Sequence, residues 1–236
     1  MSQRTVDWTG LRSWSEKPTD EGLRQRKKRL MHRQLSDTAT EMFMASGFDA
    51  VRVAEIAEAC GVSEKTVFNY FPTKESLVLD LNEAIEESLG TALADPGLTP
   101  VQAVLKILSE QLAAVTSWLT AQDDRARAVE NFRRFGALLR STPSLRAHRH
   151  DSTERLISLA AGILARRAGT NPHDPEPQIA ATALLGLWPI QFQALGKYLD
   201  DTRTPEQLHA AVTAHVTRAA RLIDTGLGHY PAPAAG

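Results

Sequence analysis

The sequence of 236 residues contains a single cysteine, Cys60. One thiol forms no internal disulfide and provides no Cys-cluster zinc site, which is the usage expected in a reducing compartment, so the chain is expected to be cytoplasmic. Neither sign of charge is in excess: Lys+Arg number 27 and Asp+Glu 28, a formal net charge of -1. That balance excludes a uniformly basic coat for nucleic acid, and any such contact has to come from a local patch. Long hydrophobic runs are missing as well. The greasiest stretch, Ile179 to Ile190, is interrupted by Thr182 and Pro189 and falls short of a membrane span, and residues 1–30 are too polar for a secretion signal, so no membrane partner is expected. The close histidine pairs, His148 with His150 and His209 with His215, are not spaced to share one helix face, so no metal site is expected. No cofactor is implied either. With 42% hydrophobic residues the chain still has enough apolar material for one or two globular domains.

Most of the chain carries a helical period. Residues 1–19 do not, and are expected to form a mobile arm in which Trp8 and Trp14 are unusual passengers; residues 230–236 read as a flexible tail. From Asp20 to Ser46 the apolar residues Leu30, Leu35, Ala39, Met42 and Phe43 recur at helical spacing until Gly47 stops the run. The start of this helix gathers Arg24, Arg26, Lys27, Lys28, Arg29 and Arg33 without an acid among them, although basic and acidic residues balance over 20–75. Taken alone, such a run is equally a solvated helix face or a phosphate-binding surface.

Two short helices follow, Val53 to Ala59 and Glu64 to Phe71, separated by Cys60-Gly61-Val62-Ser63. Gly61 supplies a turn position that tolerates positive φ, and Ser63 is a good N-cap. Ile56, Ala57, Val62, Val67 and Phe71 form a small shared core, which turns Glu64, Lys65, Thr66, Asn69 and Tyr70 outward. Cys60 reads as a small residue in a packed turn, because no charged neighbour in sequence lowers its pKa. Pro72 ends the third helix, and Thr73 caps a fourth that runs from Lys74 to Ala94. Further helices are expected at Pro100 to Thr120, Asp123 to Arg140, Pro143 to Ala168, Pro175 to Leu199 with a kink at Pro189, and Pro205 to Leu227. No strand alternation appears, so the fold class is all-α.

A helix-turn-helix works because its second helix lies in the major groove while the first packs behind it and fixes the angle. Lys65 and Asn69, one turn apart, are placed to reach base edges, and Arg52, Thr66, Tyr70 and Lys74 to hold flanking phosphates. Lys28, in the basic first helix, adds to the phosphate-binding charge.

Gly47-Phe48-Asp49-Ala50-Val51-Arg52-Val53-Ala54-Glu55-Ile56-Ala57, followed by Gly61-Val62-Ser63-Glu64-Lys65-Thr66-Val67-Phe68-Asn69-Tyr70-Phe71-Pro72-Thr73-Lys74-Glu75-Ser76-Leu77, resembles the DNA-binding domain of the tetracycline-repressor (TetR) family. The resemblance covers residues 24–80. It implies that Ser63, Glu64, Lys65, Thr66, Asn69, Tyr70 and Lys74 face DNA. Two positions depart from the family pattern: Arg52 stands where Thr is usual, and Phe68 where many members have a Tyr whose hydroxyl meets phosphate.

The resemblance further implies an N-terminal three-helix helix-turn-helix domain, residues 20–73, and a C-terminal helical ligand-binding and dimerisation domain, residues 74–229. The partners it implies are an inverted-repeat operator in double-stranded DNA, a second copy of the chain, and a small-molecule effector of apolar or acyl-CoA-like chemistry. Apolar stripes that suit a dimer run through Ala180, Ala183, Leu184 and Leu187 and through Leu208, Val212, Val216, Ala219, Leu222 and Ile223, and they suit an internal core equally well. Trp118, Phe132, Phe135, Trp188 and Phe192 lie on helices that surround the ligand cavity in relatives, with Arg133 and Arg134 beside the two central Phe residues.

Two other function classes compete. An enzyme would need a nucleophile paired with a base, a Gly-rich loop after a strand or a metal box, and the sequence offers none of these, so no catalytic residue is assigned. An adaptor with a vestigial helix-turn-helix would bind protein partners and no DNA.

Overall fold

The computed structural model describes residues 22–79, 82–200 and 202–226. The arm at 1–19 with Trp8 and Trp14, and the tail at 230–236, lie outside the described residues. All regular structure among the described residues is helical: α1 (Leu23–Ser46), α2 (Val53–Ala59), α3 (Glu64–Tyr70), a single 3-10 turn (Glu75–Leu77), α4 (Asn82–Ala94), α5 (Pro100–Thr120), α6 (Arg125–Ser141), α7 (Pro143–Ala168), α8 (Pro175–Leu185), α9 (Leu187–Tyr198) and α10 (Pro205–Thr225). The chain divides into two compact units. One comprises residues up to Asn82 together with 127–150, and the other comprises 83–126 and the residues from Asp151 onward.

In the first unit, α1 packs on α2 and on the 3-10 turn, and α2 packs on α3. Leu35, Ala39 and Phe43 of α1, Ile56 and Ala57 of α2, Val67 of α3, and Phe71 and Leu77 beyond it are buried. Burying each large side chain contributes about 1.5–3 kcal/mol, which stabilises two helices of only seven residues that would not persist alone. Three expected apolar positions lie outside the core: Met42 and Val62 are half-buried, and Leu30, which precedes Leu35, the first buried residue of α1, is 50% exposed. Gly47 ends α1 at φ 90, with its N–H donated to the Phe43 carbonyl at 2.8 Å.

The fourth helix does not begin at Lys74. The Ser76 N–H donates to Thr73 Oγ1 at 3.1 Å, the Thr73 N–H to Ser76 Oγ at 3.2 Å, and the Ser76 hydroxyl to the Thr73 carbonyl at 2.7 Å. Such local bonds compete with the helical ladder and hold a tight turn instead. Its last residue is pinned from afar, because the Ser36 hydroxyl donates to the Leu77 carbonyl at 2.7 Å.

In the second unit α10 packs on α9 and α5, and α8 touches α5, α9 and α10. Leu208, Val212, Val216 and Ala220, four residues apart, place one continuous stripe of α10 in the core. Thr99 and Thr204 cap α5 and α10 by accepting the Gln102 and Gln207 N–H groups. Arg167 of α7 donates to the Leu93 carbonyl at 2.8 Å and the Leu98 carbonyl at 2.9 Å, which ties down the C-terminal end of α4.

The single kinked helix expected over 175–199 is two helices, α8 and α9, parted at Gly186. Pro189 has no N–H to offer the Leu185 carbonyl, and the break falls at the residue after that carbonyl. Taken as one run, Pro175–Tyr198 is long and apolar enough to cross a membrane by length and composition, contrary to the shorter stretch read from sequence. Its buried residues, among them Ala181, Leu184, Leu187, Ala194 and Leu195, lie in helices that pack on α5 and α10.

Ser36→Ala leaves the buried Leu77 carbonyl without that donor and is expected to cost about 1–3 kcal/mol. Ser63→Ala removes an N-cap and is expected to cost about 1 kcal/mol. Urea unfolding followed by circular dichroism ranks the two; equal stability of parent and Ser36→Ala would remove the pinning role.

Candidate nucleic-acid interface

The turn between α2 and α3 is closed by backbone bonds that the sequence makes possible. Gly61 takes φ 68, so its N–H reaches the Glu58 carbonyl at 3.0 Å and the Val62 N–H reaches the Ala57 carbonyl at 2.9 Å. This paired closure is a Schellman end, and it needs the left-handed residue that Gly supplies without strain. Cys60 is buried in the same turn, its Sγ 3.9 Å from the Gln34 carbonyl, and burial pushes its thiol pKa up. The thiol therefore stays protonated, as a packing residue requires.

Ser63 then caps α3. The Thr66 N–H donates to Ser63 Oγ at 3.1 Å, and the two hydroxyls are 2.8 Å apart. With Val67 buried, α3 has one polar side: Ser63, Glu64, Lys65 and Asn69 are exposed, and Thr66 and Tyr70 are half-buried. Phe68 is 44% exposed, an apolar ring on the outer surface of the helix. The outward set expected from sequence is thus gathered on one short helix, with Tyr70 drawn inward. The Tyr70 ring lies 6.4 Å from His32 of α1, and His32 lies 4.3 Å from Phe71.

Two of the residues assigned to phosphate have other work. Lys74 Nζ donates to the Phe48 carbonyl at 2.6 Å and sits 4.4 Å from the Phe48 ring centre and 5.4 Å from that of Phe43. It braces the segment between α1 and α2, and its ammonium keeps further N–H donors. Arg52 stands at the N-cap of α2, where its N–H donates to Glu55 Oε2 at 2.7 Å and its guanidinium to Glu55 Oε1 at 3.1 Å. The backbone bond first and the side-chain bond second hold the Glu55 carboxyl below its usual range. An exposed ion pair of this kind is weak, about 0–1 kcal/mol, and leaves Arg52 able to swing to another anion. Lys28 is exposed on α1 beside Arg24, Arg26 and Lys27.

The five aromatic residues assigned to a ligand do not fall in one unit. Trp118, Trp188 and Phe192 belong to the second unit, and Phe132 and Phe135 to the first, because α6 passes from one unit to the other at Arg127. Trp118 and Phe132 are buried, and the other three are half-buried. Trp188 Nε1 is buried with no hydrogen-bond acceptor among the described residues.

Sequence reasoning missed His32, Ser36 and the Phe48 carbonyl. No local signal marks them, since their partners lie 26 to 41 residues away in Lys74 and Leu77 and comparably far in Phe71.

The family profile of bacterial regulatory proteins of the tetR family matches residues 35–81, and the MftR C-terminal domain matches residues 110–227. The HTH-type transcriptional regulator TcmR of Streptomyces glaucescens is 33% identical over 159 residues, covering 66% of this chain and 69% of that protein. The HTH-type transcriptional regulator LuxR of Vibrio harveyi is 40% identical over 62 residues, covering 26% of this chain and 30% of that protein. Among solved structures, NalD, the secondary repressor of the MexAB-OprM multidrug efflux pump in Pseudomonas aeruginosa, aligns with a TM-score of 0.48 and 22% identity over 81% of this chain and 97% of that one. The helix-turn-helix built by α2 and α3, the profile that spans it and the second profile C-terminal to it agree: this chain belongs to the tetR family and is a DNA-binding transcriptional regulator.

Proposed function

We propose that the protein is a cytoplasmic repressor which, as a homodimer, holds an inverted-repeat operator in double-stranded DNA and is released by a small-molecule effector bound in its C-terminal helices. The observation that carries this reading is the polar side of α3, exposed at Ser63, Glu64, Lys65 and Asn69 while Val67 is buried beneath it. Lys65 and Asn69 read base edges. Ser63, Glu64, Thr66 and Tyr70 border the contact, and Arg52, Lys74 and Lys28 hold phosphates. Residues 20–73 then serve DNA reading, and 74–229 serve ligand binding and dimerisation.

One seven-residue helix contacts few bases, so the reading requires a two-fold copy that spaces two such helices about one DNA turn apart. The apolar stripes divide in a way that favours such pairing. Leu184, Leu187, Leu208, Val212 and Val216 are spent in the protein's own core. On the same helices Ile179 is 67% and Leu222 39% exposed, with Ala180, Ala183, Ala219 and Ile223 half-buried beside them. Small residues next to exposed large ones permit close approach of a partner helix.

For release, an effector of apolar or acyl-CoA-like chemistry is assigned to the C-terminal helices, among which α5 and α9 carry Trp118, Trp188 and Phe192 within one unit. The unmet Trp188 indole N–H supports a polar ligand atom there. The effector acts by shifting α4, whose C-terminal end Arg167 grips. A coupling of about 1–3 kcal/mol lowers operator affinity roughly 5- to 150-fold. Membership of a family of non-enzymatic regulators leaves no place for the enzyme alternative.

Lys65→Ala and Asn69→Ala are each expected to lose about 1–3 kcal/mol on the selected operator and little on random DNA, whereas Lys28→Ala weakens both and reduces the salt slope by about 1. Operator selection from random duplexes followed by titration at several salt concentrations checks this, and equal losses on both DNAs for Lys65→Ala would refute base reading. The double variant Ile179→Glu with Leu222→Glu is expected to sediment as a monomer and to lose operator binding. A dimer that survives both charges would place the interface elsewhere.

A further inference from the structure

Phe68 is the one outward residue of α3 to which DNA reading by Lys65 and Asn69 gives no role. It is 44% exposed. Of the exposed large apolar side chains among the described residues, Leu23, Leu30, Phe68, Ile179 and Leu222, only Phe68 lies on α3. At about 100° per residue, Glu64, Phe68, Lys65 and Asn69 follow one another round the helix over an arc of about 140°, and Phe68 stands inside that arc between Glu64 and Lys65. Val67, the buried residue of the helix, falls outside it. A surface that lies against Lys65 and Asn69 therefore lies against the Phe68 ring as well.

A phosphate is a poor neighbour for that ring. Phenylalanine carries no donor for an anion, so the phosphate contact of the family's Tyr is not open to it. Polar base edges are no better. In the major groove they present nitrogen and oxygen acceptors and amino donors, and a ring pressed on them strips their water without replacing its hydrogen bonds. The same groove displays one apolar group, the C5-methyl of thymine, and an exposed aromatic ring on a groove-facing helix matches that group.

We infer that Phe68 is a specificity-determining residue that reads a thymine through its C5-methyl, one thymine in each half-site. Residues three or four apart on a helix surface are about 5–6 Å from each other and base pairs stack about 3.4 Å apart, so the thymine sits within about two base pairs of the base that Lys65 contacts. The inference rests on the reading that α3 turns Lys65 and Asn69 toward base edges, and it adds a base identity that neither polar side chain supplies.

The test titrates the full chain with the operator selected from random duplexes, each thymine of a half-site being replaced in turn by deoxyuridine, which removes the methyl and keeps every hydrogen-bonding group. At one position the loss should be about fourfold, and about fifteenfold when both half-sites carry the change. With a C·G pair at that position, 5-methylcytosine should bind about fourfold tighter than cytosine. Phe68→Ala should bind the thymine and deoxyuridine operators equally and keep its affinity for random duplex, which shows that α3 is still folded. Equal affinity with deoxyuridine at every thymine, no gain from the cytosine methyl, or a deoxyuridine loss that persists in Phe68→Ala would each overturn the inference. Should Phe68→Ala lose random-duplex binding, the deoxyuridine and 5-methylcytosine comparisons on the parent protein decide alone. Unaltered base preference in both Lys65→Ala and Asn69→Ala would instead remove the reading beneath it, so the two failures are told apart.

Discussion

The burial of Val67 and Phe71 against the first two helices is the constraint on which the DNA-reading surface depends. A seven-residue helix has no stable orientation of its own, so the side that enters the core dictates the side that faces out. The Schellman closure at Gly61 and the cap at Ser63 set where α3 begins, and Phe71 sets how its far end is held. Given those anchors, Lys65 and Asn69 are outward without any further device.

Around this core the chain uses long-range bonds from polar side chains to backbone carbonyls. Ser36 to Leu77, Lys74 to Phe48, and Arg167 to Leu93 and Leu98 each satisfy an acceptor at the end of a helix or in a connecting segment. Such bonds contribute modestly when made and cost more when one partner is lost, so they act chiefly to fix position. Lys74 shows the economy of the arrangement: an ammonium assigned to phosphate also rests on two aromatic faces and holds the preceding segment in place.

The second unit solves a different problem, which is to provide a core and still leave apolar surface outside. The stripe of α10 is satisfied by α5 and α9, while Ile179 and Leu222 remain uncovered on α8 and α10. Gly186 parts α8 from α9 within this packing.

Much of this protein follows from local chemistry. The helix order, the turn at Gly61, the cap at Ser63 and the outward Lys65 and Asn69 depend on period, on positive φ and on capping, all of which operate within a few residues. The exchange between Thr73 and Ser76 is also local, yet a helix from Lys74 was the natural expectation, because residues that bond their own backbone compete with a helix by a margin that packing decides. Tertiary structure alone assigned Lys74 to Phe48 and His32 to Phe71, divided the apolar stripes between core and surface, and placed the aromatic residues of α6 in a different unit from those of α5 and α9. Sequence spacing fixes which face of a helix a residue occupies; only the packing of elements distant along the chain fixes what that face meets.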